Sequence, residues 1–181
     1  NRFGACEISL YGGHVLSYRP VGHSPLLFVS KASLFEPGKP IRGGIPICWP
    51  WFGPNPNPAL PLHGFARIQQ WSLSATEYSS DVTEIRLSLS DSDLTRRLWP
   101  YAFELSLRVW LDQRLNLELT AVNRDAQPFT FTEALHPYLR VKNILEAQVL
   151  GLDQAPFTNR LTGQPGLQTG PLEIRAETDR L

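Results

Sequence analysis

Apolar and polar residues alternate one by one along much of this chain. Phe103, Leu105, Leu107, Val109 and Leu111 take one side of a run, with Glu104, Ser106, Arg108 and Trp110 on the other. Asp112-Gln113-Arg114 breaks the run. The alternation then resumes with Leu115, Leu117, Leu119 and Ala121 against Asn116, Glu118 and Thr120. Successive side chains of a strand point to opposite faces, so the two runs predict an antiparallel hairpin with one buried face. Ile85, Leu87 and Leu89 predict an earlier strand. Trp71, Leu73 and Ala75 predict the one before it, with Ser79-Ser80-Asp81 as the turn. Shorter strands are expected at residues 5–10, 14–18, 26–29, 129–132, 138–141, 147–150 and 172–175.

No stretch keeps an apolar stripe at helical spacing over three turns. The best helical segment is 91–98, where Asp91 or Ser92 would cap a short helix that Pro100 ends. Many strands with closely spaced turn signals predict an all-β sandwich or barrel. One stretch departs from the pattern. Residues 35–67 are rich in Gly, Pro and aromatics and hardly alternate. A loop of that length inside a compact β domain is usually functional.

Composition narrows the class. The 181 residues, 42% hydrophobic and 19% charged, suit one globular domain spanning 1–181. Lys+Arg is 17 and Asp+Glu is 17, so the net charge is zero and no general field attracts nucleic acid or anionic lipid. Any anion site must be a local cluster of bases. No apolar run is long enough for a membrane helix. Cys6 and Cys48 form neither a disulfide framework nor a CxxC pair, which leads us to expect a reducing cytoplasm. Methionine is absent, Asn1 opens directly onto a strand-like run, and nothing after Glu177 marks a stop. A fragment is therefore expected.

Three segments carry candidate chemistry. In Arg42-Gly43-Gly44-Ile45-Pro46-Ile47-Cys48-Trp49-Pro50-Trp51-Phe52-Gly53-Pro54, regular prolines stiffen the backbone and Arg42 offers a planar fork suited to phosphate or carboxylate. The segment reads either as a pocket wall with Arg42 as an anion clamp, or as a rigid crossover with Trp49 and Trp51 in the core. In Leu62-His63-Gly64-Phe65-Ala66-Arg67, His63 and Arg67 serve either a ligand or a strand boundary. In Glu133-Ala134-Leu135-His136-Pro137-Tyr138, His136 is an acid–base candidate by residue type, or a strand-end histidine bonded to backbone. His14 and His23 flank glycine turns and are expected on the surface. No HxH or HExxH occurs, so no metal is expected, and no nucleotide-binding or serine-esterase motif is present.

Taken in order, RGGIPICWPWFGP, HGFAR, EALHPYLRV and ETDR resemble the hexose-6-phosphate mutarotases, the glucose-6-phosphate 1-epimerase branch of the aldose 1-epimerase (galactose mutarotase-like) superfamily. The lead-in GHVLSY at 13–18 and FEPGKPI at 35–41 resemble the start of that family. The likeness runs through essentially the whole chain. It implies a large antiparallel β-sandwich of the galactose mutarotase type, working without metal or cofactor. It implies interconversion of the α and β anomers of a hexose 6-phosphate by a cytoplasmic monomer. Carried over residue by residue, His136 corresponds to the general acid and His63 to the second histidine at the reacting centre. Arg42 and Arg67 correspond to the 6-phosphate pair, and Asp179 to a carboxylate on sugar hydroxyls. Tryptophan faces would suit the C–H faces of the sugar.

In that family the general base is a glutamate well beyond the ETDR segment. Glu133 belongs to the EALH motif and does not match it. The 181-residue chain is therefore expected to lack the base and some strands of its sandwich, and to be a weak or inactive catalyst. A non-catalytic sugar-phosphate binding module on the same fold is the alternative, followed by a purely structural β domain.

Overall fold

The computed structural model describes residues 1–181. Its elements, in order, are β1 (Gly4–Ser9), β2 (His14–Pro20), β3 (Ile47–Cys48), β4 (Ser72–Tyr78), β5 (Thr83–Ser90), α1 (Asp93–Leu98), β6 (Phe103–Leu111) and β7 (Leu115–Asn123). Shorter strands follow: β8 (Ala134–Leu135), β9 (Gln148–Val149), β10 (Pro156–Thr158), β11 (Pro165–Leu167) and β12 (Leu172–Glu173). Contacts group the chain into two compact units, Asn1–Arg140 and Val141–Leu181.

In the first unit β4, β5, β6 and β7 form an antiparallel sheet in sequence order. The expected hairpin is β6–β7, paired from Phe103↔Asn123 to Leu111↔Leu115. Its inward side chains are those the alternation assigned: every second residue of β6 from Phe103 to Leu111 is buried. The strand before β5 starts at Ser72, one residue later than Trp71. A bulge between Leu73 and Ala75 breaks its alternation, and Leu73 is left exposed. Ser92 caps α1 through a capping box with Thr95. The second unit holds two small antiparallel pairs, β10–β11 and β9–β12.

The other layer of the first unit is a ladder broken by prolines. β1 pairs with β2, and β3 with β8 through Ile47↔Leu135 and Cys48↔Ala134. Hydrogen bonds continue that second pairing on both sides. Thr132 N–H donates to Pro50 O (3.0 Å), His136 N–H to Pro46 O (3.2 Å) and Tyr138 N–H to Gly44 O (2.8 Å). Residues 26–29 join only by isolated bridges, Leu27↔Leu139 and Val29↔Gly43. Pro46, Pro50 and Pro137 have no N–H to give, so the ladder is interrupted at each. For this reason β3 and β8 escape the alternation pattern, and residues 26–29 and 138–141 fall short of full strands. No strand forms over 129–132, contrary to expectation: Phe129 packs against the core beside Trp99 and Tyr101 instead of entering the ladder.

The core lies between the layers. Val15, Tyr18, Ile45, Ile47 and Trp49 from the ladder side meet Leu87, Leu89, Phe103, Leu105, Leu107 and Val109 from the sheet. Trp49 is fully buried, with its ring 4.6 Å from Phe103, 5.0 Å from Trp99 and 5.8 Å from Phe65.

On the outer face of the sheet, Glu84 is buried between two arginines. Arg86 Nε and Arg108 Nη2 each donate to its carboxylate at 2.7 Å. These bonds hold its pKa down from 4.5 to about 2. Between those values the folded chain binds fewer protons than the unfolded one. The stabilisation is therefore complete above about pH 4.5 and fades as pH falls toward 2. Glu84→Gln should lower the urea midpoint at pH 7, and the gap to the parent should close as the titration nears pH 2. A gap of constant size would assign the loss to packing instead of charge.

Candidate functional site

The first unit gathers four of the five candidate residues. His136 follows β8 directly, held in the ladder by its own amide on Pro46 O, and its side chain is exposed. Its ring lies 6.4 Å from the ring of His63. Phe52 stands beside both, 4.8 Å from His63 and nearly parallel to His136 at 6.1 Å. Tyr138 is on the other side of His136, at 5.2 Å.

His63 is held by a reciprocal pair of bonds. Its N–H donates to Gly53 O (2.8 Å), and the Gly53 N–H donates to Nδ1 (2.9 Å). Because Nδ1 accepts, the proton of the neutral ring sits on Nε2. The backbone at His63 is left-handed, φ 61°. Non-glycine residues hold that conformation only where the surroundings fix it, and such outliers concentrate at functional sites. The next residue explains the sharp turn. Gly64 lies against the Trp49 carbonyl, where an added Cβ would come within 2.1 Å of the oxygen. The Phe65 and Ala66 amides donate to that same oxygen at 3.0 and 3.1 Å. The turn therefore requires glycine.

Arg67 sits in the 3-10 turn Ala66–Ile68 and is only 8% exposed. Nη2 donates to Leu62 O at 2.7 Å, Nε is buried without a partner in the chain, and no carboxylate pairs with the guanidinium. Burial lowers its pKa. Cys48 opposes that shift, Arg42 adds to it, and Tyr138 opposes it again. Arg42 and Tyr138 thus stand within electrostatic reach of Arg67. Buried charges are ordinarily paired, as Glu84 is; Arg67 is not. The Arg42 side chain is exposed and also lacks an ion pair, while its backbone is pinned. Its N–H donates to Ser33 Oγ (2.7 Å), and its carbonyl accepts from the Ser30 amide (2.8 Å).

Two sequence expectations change. Trp49 is core filler and has no face to offer a sugar, and Trp51 is half-buried with Nε1 bonded to Pro61 O (2.9 Å). The aromatic ring at the histidines is Phe52, part of the WPWFGP motif but not singled out there. His14 is not a surface residue: it is fully buried and donates through Nε2 to Gly43 O at 2.7 Å. Desolvation pushes its pKa down from 6.5 to about 4; the Gly43 bond opposes this and Arg67 adds to it. His23 is exposed, as expected. Asp179 belongs to the second unit. There its carboxylate lies 4.0 Å from Arg160 Nε, and its carbonyl accepts from the Arg160 amide (2.9 Å). No group of three or more His, Cys, Asp or Glu side chains is arranged to hold a metal, and no helix is long and apolar enough to cross a membrane.

The two-layered β fold is that of the galactose mutarotase-like sandwiches. The crystal structure of a putative mutarotase from Salmonella typhimurium superposes with a TM-score of 0.90 at 36% identity, covering 97% of this chain and 58% of that one. The Slr1438 protein from Synechocystis sp. PCC 6803 superposes with a TM-score of 0.88 at 27% identity, covering 99% of this chain and 65% of that one. The chain belongs to the aldose 1-epimerase family, whose sequence model matches residues 1–179. A Salmonella typhimurium relative named "Putative glucose-6-phosphate 1-epimerase" is 40% identical over 115 residues, which is 64% of this chain and 39% of the relative. The chain thus spans between 39% and 65% of the length of these relatives.

The Gly64 contact yields a direct expectation. Gly64→Ala should destabilise the first unit by on the order of 3 kcal/mol, combining overpacking with the left-handed backbone. Chemical denaturation would measure it, and an unchanged midpoint would show that the turn relaxes without cost.

Proposed function

We propose that the protein interconverts the α and β anomers of a hexose 6-phosphate by opening and closing the sugar ring. One observation carries this reading: a buried arginine without a carboxylate partner, within electrostatic reach of a second arginine that has no ion pair and of Tyr138, whose ring lies beside the exposed His136 and its half-buried neighbour His63. A dianionic phosphate supplies the missing counter-charge, because each guanidinium fork can cover two oxygens.

In this reading His136 protonates the ring oxygen as the C1–O5 bond opens. A base removes the proton from the anomeric hydroxyl. The resemblance assigns that base to a glutamate outside residues 1–181. The open aldehyde rotates and the O5 hydroxyl attacks the other face of C1; its proton returns to His136 while the base gives its proton back to O1, so the proton balance is neutral. His63, with its proton on Nε2, donates to a sugar oxygen near the reacting centre. Phe52 offers an apolar face to the ring carbons. Asp179 accepts from sugar hydroxyls. No step requires a metal or organic cofactor. The 181 residues act as one domain, and the free thiols of Cys6 and Cys48 accord with a cytoplasmic sugar phosphate as substrate.

Anomer exchange of glucose 6-phosphate, followed by NMR in the complete protein, tests the reading. His136→Ala should slow exchange by at least about a hundredfold, the usual weight of a positioned acid. Arg42→Ala and Arg67→Ala should each weaken glucose 6-phosphate about tenfold or more relative to free glucose, as charged hydrogen bonds of this kind do. Equal exchange in the parent and His136→Ala would remove His136 from the chemistry. Tight binding of glucose 6-phosphate without any exchange would make the protein a sugar-phosphate binding module.

A further inference from the structure

The turn between β1 and β2 touches the backbone of both arginine-bearing segments. On one side, the Gly12 amide donates to Gln69 O (2.8 Å) and the Trp71 amide to Leu10 O (2.8 Å), so the turn is bonded to the chain just after Arg67. On the other side, His14 Nε2 donates to Gly43 O (2.7 Å), the carbonyl immediately after Arg42, and the Ile45 amide donates to Val15 O (2.9 Å). The imidazole also limits lateral movement of that segment. Gly44, at φ 62°, lies so close that an added Cβ would stand 2.7 Å from His14 Nε2 and 2.3 Å from Val15 O.

Packing alone does not account for a histidine here. The ring is fully buried, and its Nδ1 has no partner in the chain. An apolar side chain of similar size would fill the space without burying an unpaired acceptor, which carries a desolvation cost. What the imidazole supplies, and an apolar side chain cannot, is an uncharged N–H aimed at the Gly43 carbonyl. A cationic donor at this place would add a third positive charge to the neighbourhood of Arg67 and Arg42. The other charged group within reach of His14 is Arg67 itself.

We propose that His14 is a positioning residue for the anion clamp: by holding the Gly43 carbonyl it fixes Arg42 at the spacing from Arg67 that a phosphate group requires. The inference rests on the assignment of Arg42 and Arg67 to the 6-phosphate. It gives the GHVLSY segment at 13–18 a role in substrate selection without contact to the substrate.

The experiment compares glucose 6-phosphate with free glucose in the complete protein, using variants with and without a donor at position 14. His14→Leu and His14→Met fill the space but cannot donate; His14→Gln restores an N–H. The two donor-less variants should raise KM for glucose 6-phosphate about tenfold, the loss of one hydrogen bond's worth of placement, with kcat and free-glucose turnover little changed. His14→Gln should recover most of that loss. Equal losses on both sugars, no loss on either, or failure of both donor-less variants to fold while His14→Gln folds would each make His14 a structural residue and overturn the proposal. Arg42→Ala and Arg67→Ala, run in parallel, separate the two ideas. If they retain the preference for glucose 6-phosphate, the clamp assignment fails, and the positioning role fails with it. If they lose that preference while His14→Leu keeps it, only the role of His14 fails.

Discussion

The carbonyl of Trp49 accepts hydrogen bonds from two successive amides, Phe65 and Ala66, and Gly64 is pressed against it. The ring of the same residue lies in the aromatic core between Phe103, Trp99 and Phe65. Trp49 therefore joins the rigid interior to the segment that carries His63 and Arg67. The interior is rigid because its side chains interlock at crystal-like density, and that rigidity reaches the segment through this carbonyl, through the buried Phe65 ring and through the Trp71 Nε1 bond to Ala66 O (3.0 Å). The strained backbone at His63 persists for the same reason. Its neighbour cannot move without opening the contact to Trp49, and its own ring is clasped by Gly53. Core and candidate site thus share one tryptophan as a common anchor.

The sheet was readable in the sequence because its strands have one wet face and one dry face. From Phe103 to Ala121 alternation alone gives the hairpin and its inward side chains. The opposite layer was harder to read. Its strands are short, buried on both sides near residues 44–50, and interrupted by prolines that cannot donate, so periodicity vanishes although the ladder exists. Phe129 and Phe131 misled for a related reason: aromatic residues fit strands and core edges equally well, and only tertiary contacts decide between them.

At the site, motif likeness brought His63, His136, Arg42 and Arg67 forward, and the fold gathers them in one unit. Residue type failed for the rings. Tryptophan is the larger stacking surface, but Trp49 is needed inside, and Phe52 takes the place beside the histidines. His14 was unreadable because glycine turns usually lie at the surface. Here Gly12 and Gly13 instead let the chain fold back beneath two loops, carrying His14 to full burial. A chain with no net charge also conceals a local excess. The carboxylates are spent elsewhere, on Arg86, Arg96, Arg108, Arg124 and Arg175 among others, and none reaches Arg67.

The three histidines of this region differ in exposure, and that difference orders what each can do. His14 is fully buried, and desolvation holds it neutral down to about pH 4, so it cannot exchange a proton under ordinary conditions and can only donate a fixed bond. His63 is half-buried with Nδ1 accepting from the Gly53 amide, which fixes the orientation of the ring. His136 is exposed, and its recorded tie to the ladder is through its own backbone amide, so its ring is the one best placed to give and retake a proton. The proposed ring opening would call on three services: a rigid clamp, an oriented donor and a mobile proton. Graded burial of one side-chain type is a physical means of dividing them among three histidines.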